Sequence, residues 1–220
     1  MWNEFIDFSK YANIMMEGHC GLPTSTTVNG PHTDIRYSSD KIDLANISII
    51  DCRETKKMWM MHIACFSQDT HPMPIYGFDI ICGKNKVTGC FHDMSPTSLN
   101  YSQASQDFIT NVTPYIPKRT RELPPWAKEI FSDHMVVAGA TDDIQEIKNL
   151  VHMGKENLHA WFNELNDHKT TFTNDVKEYK DARMKYCHNQ LQNTNSKNVM
   201  ISLGLDEDYV NNFKKQQFPY

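Results

Sequence analysis

Four short runs with strand character, Ile47 to Ile50, Trp59 to Phe66, Tyr76 to Cys82 and Val87 to Phe91, follow one another across brief spacers. Such spacers are too short for the crossovers that parallel strands need, so the runs predict an antiparallel sheet built by local hairpins. Gly83-Lys84-Asn85-Lys86 reads as the loop between the last two. Ahead of them, Trp2, Phe5, Phe8, Tyr11 and Ile14 recur at near three-residue spacing, which predicts a short amphipathic helix stopped by Gly18, Gly21 and Pro23. Residues 104 to 132, with Pro114, Pro117, Pro124 and Pro125, are expected to be irregular, and a strand from His134 to Gly139 follows. Thr141 then offers an N-cap and Asp142 and Asp143 complement a helix dipole. From there Ile144, Ile147, Leu150, Val151, Leu158, Trp161, Phe162 and Leu165 trace the apolar stripe of a long helix. Three more helices are expected at about 174–191, 196–203 and 206–216, the second of these ended by Gly204. Strands first and helices last predict an α+β fold, an antiparallel sheet covered by helices on both faces, with room for a large flat substrate between the layers.

Composition narrows what such a fold can do. At 220 residues, with 40% hydrophobic and 22% charged residues, the chain suits one compact domain over 1–220. The 12 methionines fit an adaptable core. A net charge of −5 makes nucleic acid a poor partner, although Lys84, Lys86, Lys118, Arg119, Arg121 and Lys128 can form one cationic face. No stretch approaches the roughly 18 apolar residues of a membrane span, and Met1-Trp2-Asn3-Glu4-Phe5 does not open a secretory signal, so a cytoplasmic protein is expected. The six cysteines are scattered without a C-x-x-C pair, which argues for reduced thiols and against a zinc site or a disulfide scaffold.

No glycine-rich phosphate cradle follows a strand, and neither a G-x-S-x-G elbow nor an H-E-x-x-H pair is present, so bound nucleotide, hydrolase and metalloprotease chemistry lack support. The sharper signals are His62, central in the apolar Met58 to Phe66, and Asp79, set between Phe78 and Ile80-Ile81. A strand histidine is usually a hydrogen-bonded core residue. A carboxylate in such surroundings must be paired or have its pKa raised, because desolvation disfavours its charge. A perturbed carboxyl beside an imidazole is a natural proton-donor pair.

His62-Ile-Ala-Cys-Phe66, Pro74-Ile-Tyr-Gly-Phe-Asp79-Ile-Ile-Cys-Gly83 and Asp93-Met-Ser-Pro-Thr97 resemble the ferredoxin-dependent bilin reductases. So do Arg121-Glu-Leu-Pro-Pro-Trp-Ala-Lys-Glu-Ile-Phe-Ser132 and Tyr186-Cys-His-Asn-Gln-Leu-Gln-Asn193, in order along the chain from about 46 to 218. The match is nearest to the phycocyanobilin-forming branch and its short, phage-encoded, phycoerythrobilin-forming relatives. The resemblance implies a single-domain α/β/α sandwich with bilin between a central antiparallel sheet and the C-terminal helices. It also implies a monomer with no bound cofactor, working in the cytoplasm of a cyanobacterial or phage-infected cell, in which reduced ferredoxin feeds single electrons to biliverdin IXα. The family's catalytic histidine and aspartate fall on His62 and Asp79, whose separation of 17 matches the family's. Arg121 falls on the arginine that pairs with a bilin propionate, and Thr88 on a hydroxyl that assists it.

Two departures bear on the product. Where the phycocyanobilin-forming enzymes carry a glutamate that directs vinyl reduction, Ile50 stands here, and strand alternation turns the adjacent Asp51 to the opposite face unless a bulge intervenes. Relatives without that acid reduce the 15,16 bridge and then the A-ring diene, so phycoerythrobilin is the expected product. Where many members place an A-ring aspartate, this chain has Thr194, within Asn193-Thr-Asn-Ser196. That leaves open a proton relay through water on Asn193 and Thr194, or a reaction stopping at 15,16-dihydrobiliverdin. Phycocyanobilin, and a bilin carrier or chaperone without chemistry, are the remaining alternatives.

Overall fold

A computed structural model describes residues 2–98, 103–111, 115–167 and 175–218. Its centre is a seven-stranded sheet in which sequence neighbours are also spatial neighbours, and every adjacent pair is antiparallel. The strands are β1 (Ser25–Asn29), β2 (His32–Tyr37), β3 (Ile42–Cys52), β4 (Met58–Ser67), β5 (Ile75–Gly83), β6 (Val87–Ser95) and β7 (Val136–Ala138). The helices are α1 (Trp2–Cys20), α2 (Gln103–Asn111), α3 (Pro125–Lys128), α4 (Ile144–Asp167), α5 (Val176–Leu191), α6 (Thr194–Ser202) and α7 (Glu207–Gln217).

The four central strands lie where the apolar runs predict, each extended by a few residues. The first hairpin and α2 are absent from the sequence reading. β1 is exposed along its whole length and mostly Ser and Thr, so it carries no apolar alternation. Gly30, at φ +55°, supplies the left-handed turn residue into β2. β2 buries polar groups instead of apolar ones: His32 and Asp34 are 0% and 2% exposed. They are satisfied by side-chain hydrogen bonds, with Asp34 accepting from Arg36 Nε at 2.5 Å and Asn46 Nδ2 at 3.2 Å. The irregular stretch expected over 104–132 contains α2 and the single-turn α3, begun by Pro125 at its first position. Pro114 lies outside the described residues, and the strand expected over 134–139 is only Val136–Ala138.

The helices form two layers. On one face α1 and α4 join Trp59, Met61, Ile63, Tyr76, Phe78 and Ile80 in the largest apolar core. Gly154 permits the close approach of α4: a Cβ there would lie 2.6 Å from Phe78 and 2.7 Å from Phe8. The α4 stripe is buried as read except at its first position, since Ile144 is 49% exposed. The cap also differs from expectation. Asp143 Oδ1 accepts from the Gln145 amide at 2.9 Å, while the Thr141 hydroxyl donates to Glu146 at 2.6 Å. On the opposite face α3 and α5 cover Ala64, Phe66 and Ile75, and α6 and α7 cover Ile50, Cys52 and Met60. The expected α/β/α sandwich is therefore the observed architecture. All six cysteines are free. Among the described residues no helix is long and apolar enough to cross a membrane.

Candidate active site

Strand alternation sorts residues between the two layers. Ser48 on β3 pairs with His62 on β4, which pairs with Asp79 on β5, which pairs with Phe91 on β6, so four side chains from successive strands share one face. That face floors a cavity of about 640 Å³ roofed by α6 and α7, with residues 121–135 along one side. The volume falls in the usual range for small-molecule sites.

His62 and Asp79 meet in this floor. The imidazole Nδ1 lies 2.7 Å from Asp79 Oδ1, and the two side chains are 13% and 44% exposed. An ionised Asp79 accepts from the ring's Nδ1–H in a charge-assisted hydrogen bond and fixes the ring's orientation. The other ring nitrogen, Nε2, is buried and has no partner among the described residues. It is the ring's remaining polar atom: an acceptor in the neutral ring and a donor in the charged one. The edge of Phe218 closes over the imidazole at a centroid distance of 5.8 Å. The sequence reading placed Asp79 among apolar neighbours that would desolvate it. The structure corrects that picture, because Phe78 and Ile80 point into the opposite layer at 0% exposure, leaving Asp79 to open into the cavity.

Thr88 reaches the same space through a register shift between β5 and β6. Ile81 pairs with Gly89 but Cys82 with Val87, so Thr88 is the extra residue of a bulge, and its hydroxyl donates to the Ile81 carbonyl at 3.0 Å. Arg121 is exposed at the cavity rim, pinned by its amide donating to the Val137 carbonyl at 3.3 Å. Its guanidinium lies over Gly89, where a Cβ would be 3.1 Å from Nη1. Among the described residues it has no carboxylate partner, so the fork is available for one.

Ile50 lines the cavity and is 4% exposed, while Asp51 lies on the other side, exposed and held by Arg53 at 2.7 Å. The only irregularity along β3 is at Ile42/Leu44, so no bulge brings Asp51 inward. Asn193 also lines the cavity, but as the cap of α6: its Oδ1 accepts from the Ser196 amide at 3.3 Å. Thr194 does not line it. The helix starts at Thr194, earlier than the sequence suggests, and this first-turn residue is exposed.

Several groups in or near the cavity escape sequence reasoning. Buried His32 bridges Tyr209 of α7, at 2.7 Å, and Ser48 of the floor, at 2.8 Å, tying α7 to the sheet. Asp93 is 4% exposed and accepts from the Ser95 hydroxyl at 2.7 Å and the Ser132 amide at 3.0 Å. It thereby anchors the rim loop, and burial pushes its carboxyl above the usual range despite those donors. Lys214 is a buried ammonium in the roof, 6% exposed. Its signal was present in the helical phase of α7, because Val210, Phe213, Lys214 and Gln217 fall on one face.

A model of the ferredoxin-dependent bilin reductases matches residues 33–214. A phycocyanobilin:ferredoxin oxidoreductase from Prochlorococcus marinus (strain MIT 9515) is 21% identical over 165 residues, 74% of this chain and 66% of that protein. One from Synechococcus sp. (strain CC9605) is 24% identical over 162 residues, 72% and 65% of the two chains. The chain thus spans just under two thirds of the length of these relatives. Among solved structures, a crystal structure of tomato phytochromobilin synthase in complex with biliverdin superposes with a TM-score of 0.72 at 15% identity, covering 97% of this chain and 82% of that one. The structure of a protein named PcyX does so at 0.63 and 21%, covering 96% and 94%. With most of its length matched by the family model, the chain belongs to the ferredoxin-dependent bilin reductase family.

Proposed function

We propose that this protein reduces biliverdin IXα with electrons from reduced ferredoxin, and that its product is phycoerythrobilin. The reaction takes four electrons and four protons, first at the 15,16 methine bridge and then at the A-ring diene. The observation that carries this reading is the His62–Asp79 pair, hydrogen-bonded at 2.7 Å in the floor of a cavity sized for an extended ligand. Each electron raises the basicity of the bound tetrapyrrole. A carboxyl in contact with an imidazole can then deliver a proton and be recharged through it.

The product assignment is supported by Ile50. The wall that would have to protonate the D-ring vinyl group carries a hydrocarbon there, and the nearest acid in sequence, Asp51, faces away. Arg121, whose Nη1 donates to the Thr88 carbonyl at 3.5 Å, offers the rest of its guanidinium to a propionate at the rim. Exposed Lys84, Lys86, Arg119 and Lys128 offer an acidic electron carrier a cationic approach, whereas Lys118 is engaged by Asp143.

The test is anaerobic incubation of the protein with biliverdin, ferredoxin and a ferredoxin-reducing system, followed by chromatographic identification of the pigment. Phycoerythrobilin is expected, formed more slowly as salt is raised. An 18-ethyl pigment overturns the product assignment. Stoichiometric binding of biliverdin with no pigment change under reduced ferredoxin makes the protein a carrier and removes the enzymatic reading.

A further inference from the structure

Lys214 sits at an unusual place for a lysine. It projects from α7 into the cavity roof, where Nζ donates to the Asn193 carbonyl at 2.6 Å and the Ser196 hydroxyl at 3.3 Å. An ammonium has three N–H donors, and the third has no partner among the described residues. Among those residues no carboxylate lies within ion-pair distance of it either. The neighbouring cation, Lys197, is taken up by Glu207 at 2.7 Å. Burial, aided by the charge of Lys197, pushes the Lys214 ammonium down to about 8, and Asp79 in the cavity floor opposes that only in part.

A buried, uncompensated charge costs stability. Removing the charge would relieve that cost, so the position calls for a chemical reason. Among the described residues, the roof around Lys214 supplies no other ready acid. Asn193, Asn195, Ser196, Asn198 and Gln217 line it, and Thr194 is exposed and does not. Tyr186 is the other titratable side chain from the helices, and burial drives its phenol far above neutrality. An ammonium that gives up its proton near neutral pH is what this wall has available.

We propose that Lys214 is the second proton donor of the site, protonating the part of the tetrapyrrole that lies under α6 and α7 during the second two-electron step. This rests on the four-electron reading above. In that step two reduced ferredoxins each deliver one electron. The pigment takes one proton from Lys214 Nζ and one from the His62–Asp79 pair, two C–H bonds form, and the diene loses one double bond. Lys214 is left as a neutral amine and regains a proton from water. The competing role is electrostatic, with Lys214 holding a propionate as Arg121 does.

Lys214→Arg and Lys214→Met separate the two. Arginine keeps the charge but does not deprotonate in proteins, and methionine keeps the packing without the charge. Biliverdin affinity, by spectral titration, and the yields of two-electron and four-electron pigment are measured for both variants and the unaltered protein, with thermal unfolding to confirm folding. The proposal expects both variants to bind and consume biliverdin within a few-fold of the unaltered protein, and to accumulate 15,16-dihydrobiliverdin because the second step slows by about 10²-fold or more. Full four-electron turnover by Lys214→Arg, with weakened binding in Lys214→Met, overturns it in favour of the propionate role. If the unaltered protein itself stops at the dihydrobilin, the four-electron reading falls first. If it makes phycoerythrobilin and both variants do so equally well, Lys214 alone is removed.

Discussion

The two faces of the sheet are made from alternate residues of the same strands, yet they solve opposite problems. On β5, Tyr76, Phe78 and Ile80 face α1 and α4 and are each 0% exposed. Gly77, Asp79 and Ile81, interleaved with them, face the cavity and stay partly exposed. On the first face side chains pack closely around α4, where a glycine lets two phenyl rings approach its backbone. On the second, polar side chains are held by specific partners around space left for a ligand. A strand can thus be rigidly seated through one set of residues while the other set is free to do chemistry, and substitutions one position apart should differ in kind.

The largest difference is expected from Asp79→Asn. An amide fills the same space and still contacts His62, but it has no carboxyl proton to give. Bilin binding should persist while turnover drops by about 10²- to 10⁴-fold, the usual range for losing a general acid. Spectral titration beside anaerobic turnover measures both. Undiminished turnover would take Asp79 out of the mechanism.

On the packed face the comparable residue is His92, fully buried and serving structure. Its Nδ1–H donates to the Gly77 carbonyl at 2.8 Å and its Nε2 accepts from the Asn157 amide at 2.6 Å, a pattern that only the neutral ring satisfies. Burial pushes its pKa from 6.5 down to about 4. Between those values the unfolded chain binds the proton more readily than the folded one, so stability should fall as pH is lowered from about 6.5 to about 4. The loss attributable to His92 is on the order of 3 kcal/mol. Urea denaturation across that window should show a shallower pH dependence in His92→Gln, since glutamine does not titrate. An unaltered slope would place the acid sensitivity elsewhere.

Gly154→Ala probes how full that layer is. The added methyl would meet Phe78 at 2.6 Å and Phe8 at 2.7 Å, and those rings already stack edge to face at 4.9 Å. Overpacking of this kind costs about 1–3 kcal/mol, partly offset by roughly 1 kcal/mol of better helix propensity. A lowered melting temperature with an unchanged product is expected. No loss of stability would mean that the layer has slack.

These two faces also explain what was legible in the sequence. The packed face announces itself, because Trp59, Met61, Ile63, Phe78 and Ile80 belong to near-continuous apolar runs and the α4 stripe has helical period. The pair His62 and Asp79 stood out because polar groups interrupt that pattern. The first hairpin was not legible, since its inward residues are His32 and Asp34 and its edge strand is exposed throughout. Their burial is balanced by the local Arg36 and by Ser48, Tyr209 and Asn46, partners that only the tertiary fold brings together. Lys214 is disguised in the sequence by its neighbour. Within Lys214-Lys215 it looks like solubilising charge, and only the phase of α7 distinguishes the buried lysine from the exposed one.

The smallest effect is expected one residue from the cavity, at Asp51. Ile50 and Asp51 are adjacent on β3, opposite Met60 and Trp59, and alternation sends the first into the site and the second out of it. Arg53 holds the Asp51 carboxylate below the usual carboxylate range through hydrogen bonds at 2.7 and 2.9 Å. Both side chains are substantially exposed, so the pair is worth about 0.2–1 kcal/mol at most, and less in high salt. Asp51→Asn should therefore shift the unfolding midpoint only slightly and leave the pigment product unchanged. If that substitution instead altered the product, Asp51 would have to reach the bilin. The register of β3, with the separation of faces that depends on it, would then be wrong.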